Sequence, residues 1–186
     1  YGGKSIQGET FRTAHLDRLA SEGVRFTNCH SRAMCAPTRR VLMTGKGLYT
    51  PGIRQTPPLE MPFVPRILKD VGYTTGISGK WMLGRLNPRE RGFDEAFIWA
   101  GHYDYWEPKI VVFGSGGYMK ELNQPKEVEL DTTCFKVPVG GGPGRATVMD
   151  GRFGPDLINR FACDFIERHA EGPFFLYYPM KLIHAP

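Results

Sequence analysis

The sequence lacks several patterns that assign a chain to a common class of protein. No run of 18 apolar residues occurs, so no segment is predicted to span a membrane as a helix. Its four cysteines have spacings that match neither a zinc site nor a CxxC redox pair. No block of lysine and arginine is dense enough to predict a nucleic-acid partner, although the formal net charge is +5. These absences leave a globular chain of 186 residues whose charge suits an anionic substrate.

The two ends of the sequence also lack the usual features of a complete protein. Tyr1 opens the sequence without an initiator methionine or a secretory pattern. Pro186 closes it directly after an apolar run and a histidine. We therefore expect an internal piece, truncated at both ends, in which an absent residue carries no meaning.

What the sequence does contain is an alternation of helices and apolar strands. Periodicity and glycine or proline stops predict helices over 13–22, 38–43, 64–71 and 155–171, and strands over 24–27, 73–78 and 173–178. This alternation favours an α/β fold, a three-layer sandwich with a mostly parallel central sheet between helical layers. Because ligands of such folds collect beyond the carboxyl ends of the strands, we expect chemistry directly after residues 28, 78 and 178.

A cysteine follows the first of these strands and precedes a predicted helix. The stretch reads Cys35-Ala36-Pro37-Thr38-Arg39, and Leu-Met-Thr-Gly follows at 42–45. A cysteine beside a helix amino terminus, with Arg39 one turn on, lies in a positive field that suits a nucleophile or a modified residue. A buried structural cysteine and a disulfide between Cys29 and Cys35 are the alternatives.

Two further motifs follow the other two strands. Gly-Lys-Trp-Met-Leu-Gly occupies 79–84 after the second strand, and His-Ala-Pro occupies 184–186 after the third. Lys80 and His184 are therefore candidates for contact with an anion, and a surface lysine and a solvated histidine are the alternatives. Lys181 is a third candidate, with a solvated loop lysine as its alternative. A group of aromatic residues after 101, namely His102, Tyr103, Tyr105 and Trp106, predicts either a sugar-stacking wall or packing in the core or rim.

Together the three motifs resemble the signature sequences of the sulfatase family. Residues 35–45 are similar to Cys-x-Pro-Ser-Arg followed by Leu-x-Thr-Gly, with Thr38 in the position of the more usual serine. Residues 72–84 resemble Gly-Tyr-x-Thr followed by Gly-Lys-Trp-His-Leu-Gly, and 184–186 resemble the His-x-Pro motif. The resemblance implies that residues 1–186 are the N-terminal part of a single sulfatase catalytic domain, with the fold of the alkaline-phosphatase superfamily.

The resemblance also implies an activity, the hydrolysis of a sulfated carbohydrate or an aryl sulfate. In the family a maturing enzyme oxidises the cysteine to formylglycine, so Cys35 becomes the nucleophile and Arg39 holds it. Lys80 and His184 are expected to contact the sulfate and assist the leaving oxygen, and Lys181 to contact the substrate. The family binds Ca²⁺ or Mg²⁺, for which only Cys35, as formylglycine, is expected to be a ligand in this chain, the others lying outside it. Family members are periplasmic, secreted or lysosomal.

One departure from the family pattern keeps other functions open. Met82 stands where many sulfatases have histidine, and a thioether neither donates nor accepts the proton that an imidazole transfers. A non-catalytic homologue that binds sulfated glycans is therefore one alternative. Relatives with the same cysteine motif act on phosphorus, so a phosphonate or phosphodiester hydrolase is another.

Overall fold

The chain forms two units in the computed structural model, residues 1–32 and 33–186. The structure describes residues 12–47, 49–51, 57–83, 86–99, 105–106, 108–113, 126–129, 145–148 and 153–182. The arrangement of residues 1–186 as a single catalytic domain stays a prediction.

The first unit carries one amphipathic helix, α1 (Ala14–Glu22), where the sequence predicts a helix over 13–22. Arg18 and Glu22, one turn apart on its exposed side, form an ion pair of 3.2 Å. The strand predicted over 24–27 is wrong. Val24 and Phe26 are 82% and 77% exposed, and no strand forms there among the residues that the structure describes. Alternating apolar residues need a hydrogen-bonded neighbour to become a strand, and this segment pairs with none of the described strands.

A six-stranded sheet is the framework of the second unit, with the strand order β4-β5-β3-β2-β1-β6. The strands are β1 (Thr74–Gly79), β2 (Glu95–Trp99), β3 (Lys109–Phe113), β4 (Lys126–Glu129), β5 (Arg145–Val148) and β6 (Phe174–Tyr177). β6, β1 and β2 run parallel to one another. β3, β5 and β4 extend the sheet through antiparallel pairs. The α/β fold predicted from the sequence is confirmed, and its parallel part contains both strands that precede the Lys80 and His184 motifs.

Helices cover both faces of the sheet, which makes three layers. They are α2 (Cys35–Thr44) and α3 (Val64–Asp70) on one face and α4 (Gly154–Arg168) on the other. Successive side chains of β6 alternate between the two faces, as the pleat of a strand requires. Phe175 and Tyr177 pack against the cluster that contains Met43 of α2, whereas Phe174 packs against Phe165 of α4. In the described ranges no helix is long and apolar enough to cross a bilayer.

The centre of the sheet is its most buried part. All five residues of β2 are buried, which is typical of a strand with helices on both faces. Phe97 of β2 stacks on Phe161 of α4 with ring centroids 5.3 Å apart. Each phenyl side chain removed from water in this way stabilises the fold by about 2–3 kcal/mol.

The carboxyl ends of β6, β1 and β2 lie at one edge of the sheet because these strands are parallel. β1 and β6 are in register at Ile77 and Tyr177. The association of these two strands continues past the sheet, where the Lys80 N–H donates to the Pro179 carbonyl at 3.0 Å. Lys80 is thereby fixed at the edge where the sequence predicts chemistry.

Candidate active site

Cys35 is the first residue of α2. Met34 precedes it in extended conformation, and no side chain caps the helix. The first-turn N–H groups of an uncapped helix lack partners and give this end a partial positive charge, which lies at Cys35. The sequence predicts the helix over 38–43, and it begins earlier because Pro37 fits the first turn, where an N–H has no intrahelical partner.

Cys35 is a partly exposed free thiol. Cys29 is also a free thiol, so the alternative of a disulfide between the two is wrong. Thr38, in the hydroxyl position of the motif, donates from Oγ1 to the Met34 carbonyl at 3.0 Å. This bond ties the first turn of α2 together and leaves the Cys35 side chain accessible.

Arg39 lies one turn after Cys35 and connects α2 to both strand ends. Its Nη1 donates to the Lys80 carbonyl at 2.7 Å and to the Tyr177 hydroxyl at 3.0 Å. Its Nε is buried and has no hydrogen-bond partner among the described residues. Because positions four apart share a helix face, Arg39 and Cys35 lie on the same side of α2. The guanidinium therefore has an unused buried donor on the cysteine side of the helix.

Lys80 is a buried cation, 5% exposed, at the end of β1. Burial lowers the pKa of its ammonium group, the electrostatic interaction with Cys35 raises it, and the charge of Arg39 lowers it. No acidic side chain in the described part of the chain forms an ion pair with Lys80. A buried cation beside a second cation, without a carboxylate, favours an anion as the missing partner.

Tyr177 belongs to this group of residues although it is part of none of the three sequence motifs. It is the last residue of β6 and faces α2 because it alternates with Leu176 and Tyr178. The sequence shows only a tyrosine near the carboxyl end of a predicted apolar strand, and its bond to α2 follows from the fold. The structure thus brings together Cys35, Arg39, Lys80 and Tyr177, whereas His184 lies outside the described residues.

Lys181 is buried, 2% exposed, so the alternative of a solvated loop lysine is wrong. Its Nζ lies 4.1 Å from the centroid of the Trp99 ring, within the range of a cation–π interaction. The Tyr105 hydroxyl donates to the Lys181 carbonyl at 3.2 Å. Both contacts fasten the segment after β6 to aromatic residues at the end of β2. Contact of Lys181 with substrate stays a prediction.

The aromatic residues after β2 divide between core and rim. Tyr105 is partly buried against Trp99, with ring centroids 5.4 Å apart. Trp106 is 66% exposed and rests on Phe153 at 5.0 Å. His102 and Tyr103 lie outside the described residues, so the sugar-stacking wall stays a prediction.

Met82 adopts a left-handed backbone conformation, with φ 53°. This conformation is uncommon for a residue with a long side chain, and such strain concentrates at functional sites. The preceding Trp81 holds the turn, since its ring is buried and its Nε1 donates to the Leu86 carbonyl at 2.7 Å.

The described residues do not form a metal site. No group of three or more histidine, cysteine, aspartate or glutamate side chains is placed there to hold an ion. Divalent cations such as Ca²⁺ require about six oxygen ligands. The side chains around Cys35 are instead two cations, Arg39 and Lys80, and the phenol of Tyr177.

Comparison with known proteins identifies the family. A sequence model of the sulfatase family matches residues 2–186. The chain belongs to the sulfatase family. The recognition made from the cysteine, lysine and histidine motifs is thereby confirmed.

Several curated sulfatases are similar to this chain. Mouse N-acetylgalactosamine-6-sulfatase is 32% identical over 215 residues, which cover 100% of this chain and 38% of the relative. Mouse arylsulfatase J is 40% identical over 196 residues, which cover 96% of this chain and 30% of the relative. The chain thus spans about a third of the length of the curated sulfatases it matches.

Solved structures agree with this assignment. A structure in complex with its substrate D-glucosamine-2-N,6-O-disulfate matches with a TM-score of 0.67 and 26% identity, over 96% of this chain and 31% of that chain. A second structure, from work on the metabolism of multiple glycosaminoglycans by Bacteroides thetaiotaomicron, matches with a TM-score of 0.64 and 25% identity, over 94% and 46% of the two chains. The sulfatase fold inferred from the sequence is confirmed.

Proposed function

We propose that this protein hydrolyses sulfate esters, with Cys35 as the nucleophile position. The observation that carries the proposal is the pair formed by the buried Lys80 and the partly buried Arg39, two cations that meet near the amino terminus of α2 without an acidic partner among the described residues. A sulfate ester is a monoanion whose oxygens become more negative as its ester bond breaks. Buried, fixed donors stabilise such developing charge more strongly than water does.

Cys35 suits the modification that the family implies. It is a partly exposed free thiol at an uncapped helix terminus, and the unused Nε of Arg39 is a donor for an oxygen on the modified side chain. Oxidation of its side chain to formylglycine supplies an aldehyde whose hydrate attacks sulfur and displaces the alcohol. Loss of sulfate then restores the aldehyde, which takes up water again. The proposal includes a maturing enzyme that carries out this oxidation.

The other site residues bind the sulfate and assist the leaving group. We assign the Lys80 ammonium to the sulfate oxygens and the Arg39 guanidinium to the modified Cys35. His184, three residues after the fixed Lys181, is assigned to protonation of the leaving alcohol oxygen. The proposed divalent cation, Ca²⁺ or Mg²⁺, adds charge neutralisation when bound, and the described residues offer only Cys35 toward it.

The names of the related proteins favour a sulfated sugar as the substrate. One relative is an N-acetylgalactosamine-6-sulfatase, and one structural neighbour binds a sulfated glucosamine. Both ligands are amino sugars that carry an ester sulfate on O6. We propose a sulfated carbohydrate as the natural substrate class, with aryl sulfates as small surrogates, and a periplasmic, secreted or lysosomal location.

The test is an assay of the full-length protein after co-expression with a formylglycine-generating enzyme. We expect hydrolysis of N-acetylgalactosamine 6-sulfate and of 4-methylumbelliferyl sulfate, and a loss of at least 100-fold in kcat/KM for Arg39→Gln. Faster turnover of bis(4-nitrophenyl) phosphate would instead assign the protein to the phosphodiester hydrolases. Binding of the sulfated sugar without turnover would identify a non-catalytic homologue.

A further inference from the structure

The Arg39 guanidinium is held at one of its three nitrogens. Both hydrogen bonds that it makes to described residues start from Nη1, one to the Lys80 carbonyl and one to the Tyr177 hydroxyl. An Nη group carries two hydrogens, so these two bonds use both. Nε and Nη2, which form one planar edge of the guanidinium, are left for other acceptors. That edge matches two oxygens of an oxyanion.

Tyr177, the last residue of β6, contacts Arg39 of α2 through its hydroxyl. Its ring packs in the core on the α2 face of the sheet, at the register position paired with Ile77. The ring is therefore fixed by packing, and the hydroxyl at its tip accepts a hydrogen bond from Arg39 of α2 at 3.0 Å. Burial raises the pKa of the Tyr177 phenol, while the charge and hydrogen bond of Arg39 lower it. The raised pKa keeps the phenol neutral at physiological pH, so it accepts from Arg39 without neutralising the cation.

We propose that Tyr177 is a positioning residue of the site, which orients Arg39 so that its Nε–Nη2 edge faces the modified Cys35 and the sulfate. The inference rests on the proposed function and deepens it. Without the Tyr177 hydroxyl, the Lys80 carbonyl is the one acceptor for Nη1 that the described residues provide, and the long arginine side chain regains rotational freedom. Ordering it again on binding then costs affinity.

The chain supplies a matched control in the next residue. Tyr178 directly follows β6 and faces α4, where its hydroxyl donates to Asn159 Oδ1 at 3.3 Å. Tyr177→Phe and Tyr178→Phe each remove one phenolic hydroxyl and one hydrogen bond and keep the partly buried ring. Tyr177→Phe should lose somewhat more folding stability, because its hydrogen bond has a charged donor and is less exposed, and only this variant affects Arg39.

The experiment measures inorganic sulfate binding by calorimetry and kcat/KM for 4-methylumbelliferyl sulfate, both with the full-length protein. We expect Tyr177→Phe to weaken sulfate binding and to lower kcat/KM by about 10-fold each, the effect of losing one hydrogen bond to a charged group, and Tyr178→Phe to change neither. In an Arg39→Gln background, Tyr177→Phe should have no further effect on sulfate binding, because it acts through Arg39.

Each outcome separates the inference from the proposed function. An active wild type in which Tyr177→Phe matches Tyr178→Phe in binding and in kcat/KM would overturn the positioning role alone. A wild type that binds sulfate without turnover removes the catalytic proposal, and the binding comparison still decides the role of Tyr177. A wild type that binds no sulfate would overturn both.

Discussion

At the scale of single residues, Lys80 lowers the stability of the folded state and is expected to bind the sulfate. Its ammonium group is buried, and no carboxylate of the described residues compensates it. A buried, uncompensated charge lowers the stability of the folded state, and functional sites commonly retain such groups. Lys80 should therefore oppose folding and support sulfate binding at once.

Replacing Lys80 by methionine separates these two effects. We expect Lys80→Met to raise the free energy of unfolding by about 1–2 kcal/mol at pH 7, since a flexible apolar side chain fills the same space. It should lower kcat/KM for sulfate esters at least 100-fold. Urea unfolding and the aryl sulfate assay measure the two quantities, with the exposed Lys46→Met as the control. A destabilised Lys80→Met protein would contradict the view that the charge of Lys80 opposes folding.

The stability difference between wild type and Lys80→Met should depend on pH, because the pKa of Lys80 is shifted in the folded protein. The pKa of Lys80 is lower in the folded protein than its ordinary value of 10.5, so the unfolded chain holds this proton to higher pH. Wild-type stability therefore rises, relative to Lys80→Met, as pH increases through the lowered pKa toward 10.5. The advantage of the methionine variant should shrink over that range.

Tyr177 and Lys181 show what residue-level motifs leave out. Lys80 is recognisable because its motif is contiguous in the sequence. The Tyr177 hydroxyl bonds to a residue of α2 that is distant along the chain, and Lys181 is buried by contact with Trp99. Contacts between distant segments depend on the sheet order, which periodicity alone does not provide.

At the scale of elements, the junction between β1 and β6 holds the site together. Gly79 has a φ of 123°, and a Cβ at this position would lie 2.4 Å from the Pro179 carbonyl oxygen. The close approach lets the Lys80 N–H bond to that carbonyl and sets the position of the Lys80 carbonyl that Arg39 uses. Only glycine satisfies both the backbone conformation and the space.

Gly79→Ala should therefore separate the two strand ends. We expect a loss of about 2–4 kcal/mol in the free energy of unfolding, together with a fall in kcat, because the clash is with backbone. Gly72→Ala is the control, since Gly72 has a φ of 91° but open space around its Cβ position. Gly72→Ala should lower the free energy of unfolding by about 1 kcal/mol and leave the activity unchanged. Equal effects of the two substitutions in urea unfolding and activity would refute the role of the Gly79–Pro179 contact.

The elements themselves are largely predictable from the sequence, and the exceptions have physical reasons. The helices at α1, α3 and α4 and the strands β1 and β6 lie where periodicity and glycine stops predict them. The segment 24–27 has the alternation of a strand without a described partner, because periodicity specifies a face and not a neighbour. The antiparallel strands β4 and β5 contain no strong apolar alternation, so periodicity does not predict them.

At the scale of the whole molecule, the edge of the sheet opposite the site carries a charged cluster that stabilises the fold. Glu95, the first residue of β2, accepts two hydrogen bonds from Arg168, at 2.8 and 2.7 Å, and lies 2.9 Å from Nε2 of His169. Burial favours a higher pKa for Glu95, but the bonds from Arg168 and His169 outweigh it and hold the pKa below 4.5. The cluster joins the end of α4 to the start of β2.

Glu95→Gln should destabilise the protein without changing its chemistry. We expect a loss of about 2–4 kcal/mol at pH 7, since it leaves Arg168 without its buried partner, and unchanged kinetics per folded molecule. Because the folded pKa is depressed, the contribution of Glu95 is present above its unfolded pKa and is lost as pH falls through the folded pKa. The gap between wild type and variant should therefore close below pH 4.5 in acid unfolding curves.

Asp164→Asn provides the control for this prediction. Asp164 pairs with the same Arg168 at 2.8 Å, but its side chain is 34% exposed, compared with 9% for Glu95. An exposed pair one helical turn apart contributes about 0.3–0.5 kcal/mol. A lower kcat/KM for Glu95→Gln, with Asp164→Asn unchanged, would contradict the view that the Glu95 cluster stabilises the fold without acting on the active site.

The central claim concerns the chemical state of Cys35, and peptide mass spectrometry tests it most directly. Trypsin releases Cys35 in the peptide 33–39 and Cys29 in the peptide 26–32. After co-expression of the full-length protein with a formylglycine-generating enzyme and alkylation of thiols, we predict an unalkylated aldehyde in peptide 33–39. The exposed thiol Cys29 should be alkylated in the same digest. A fully alkylated Cys35 would contradict the assignment of this residue as the sulfatase nucleophile.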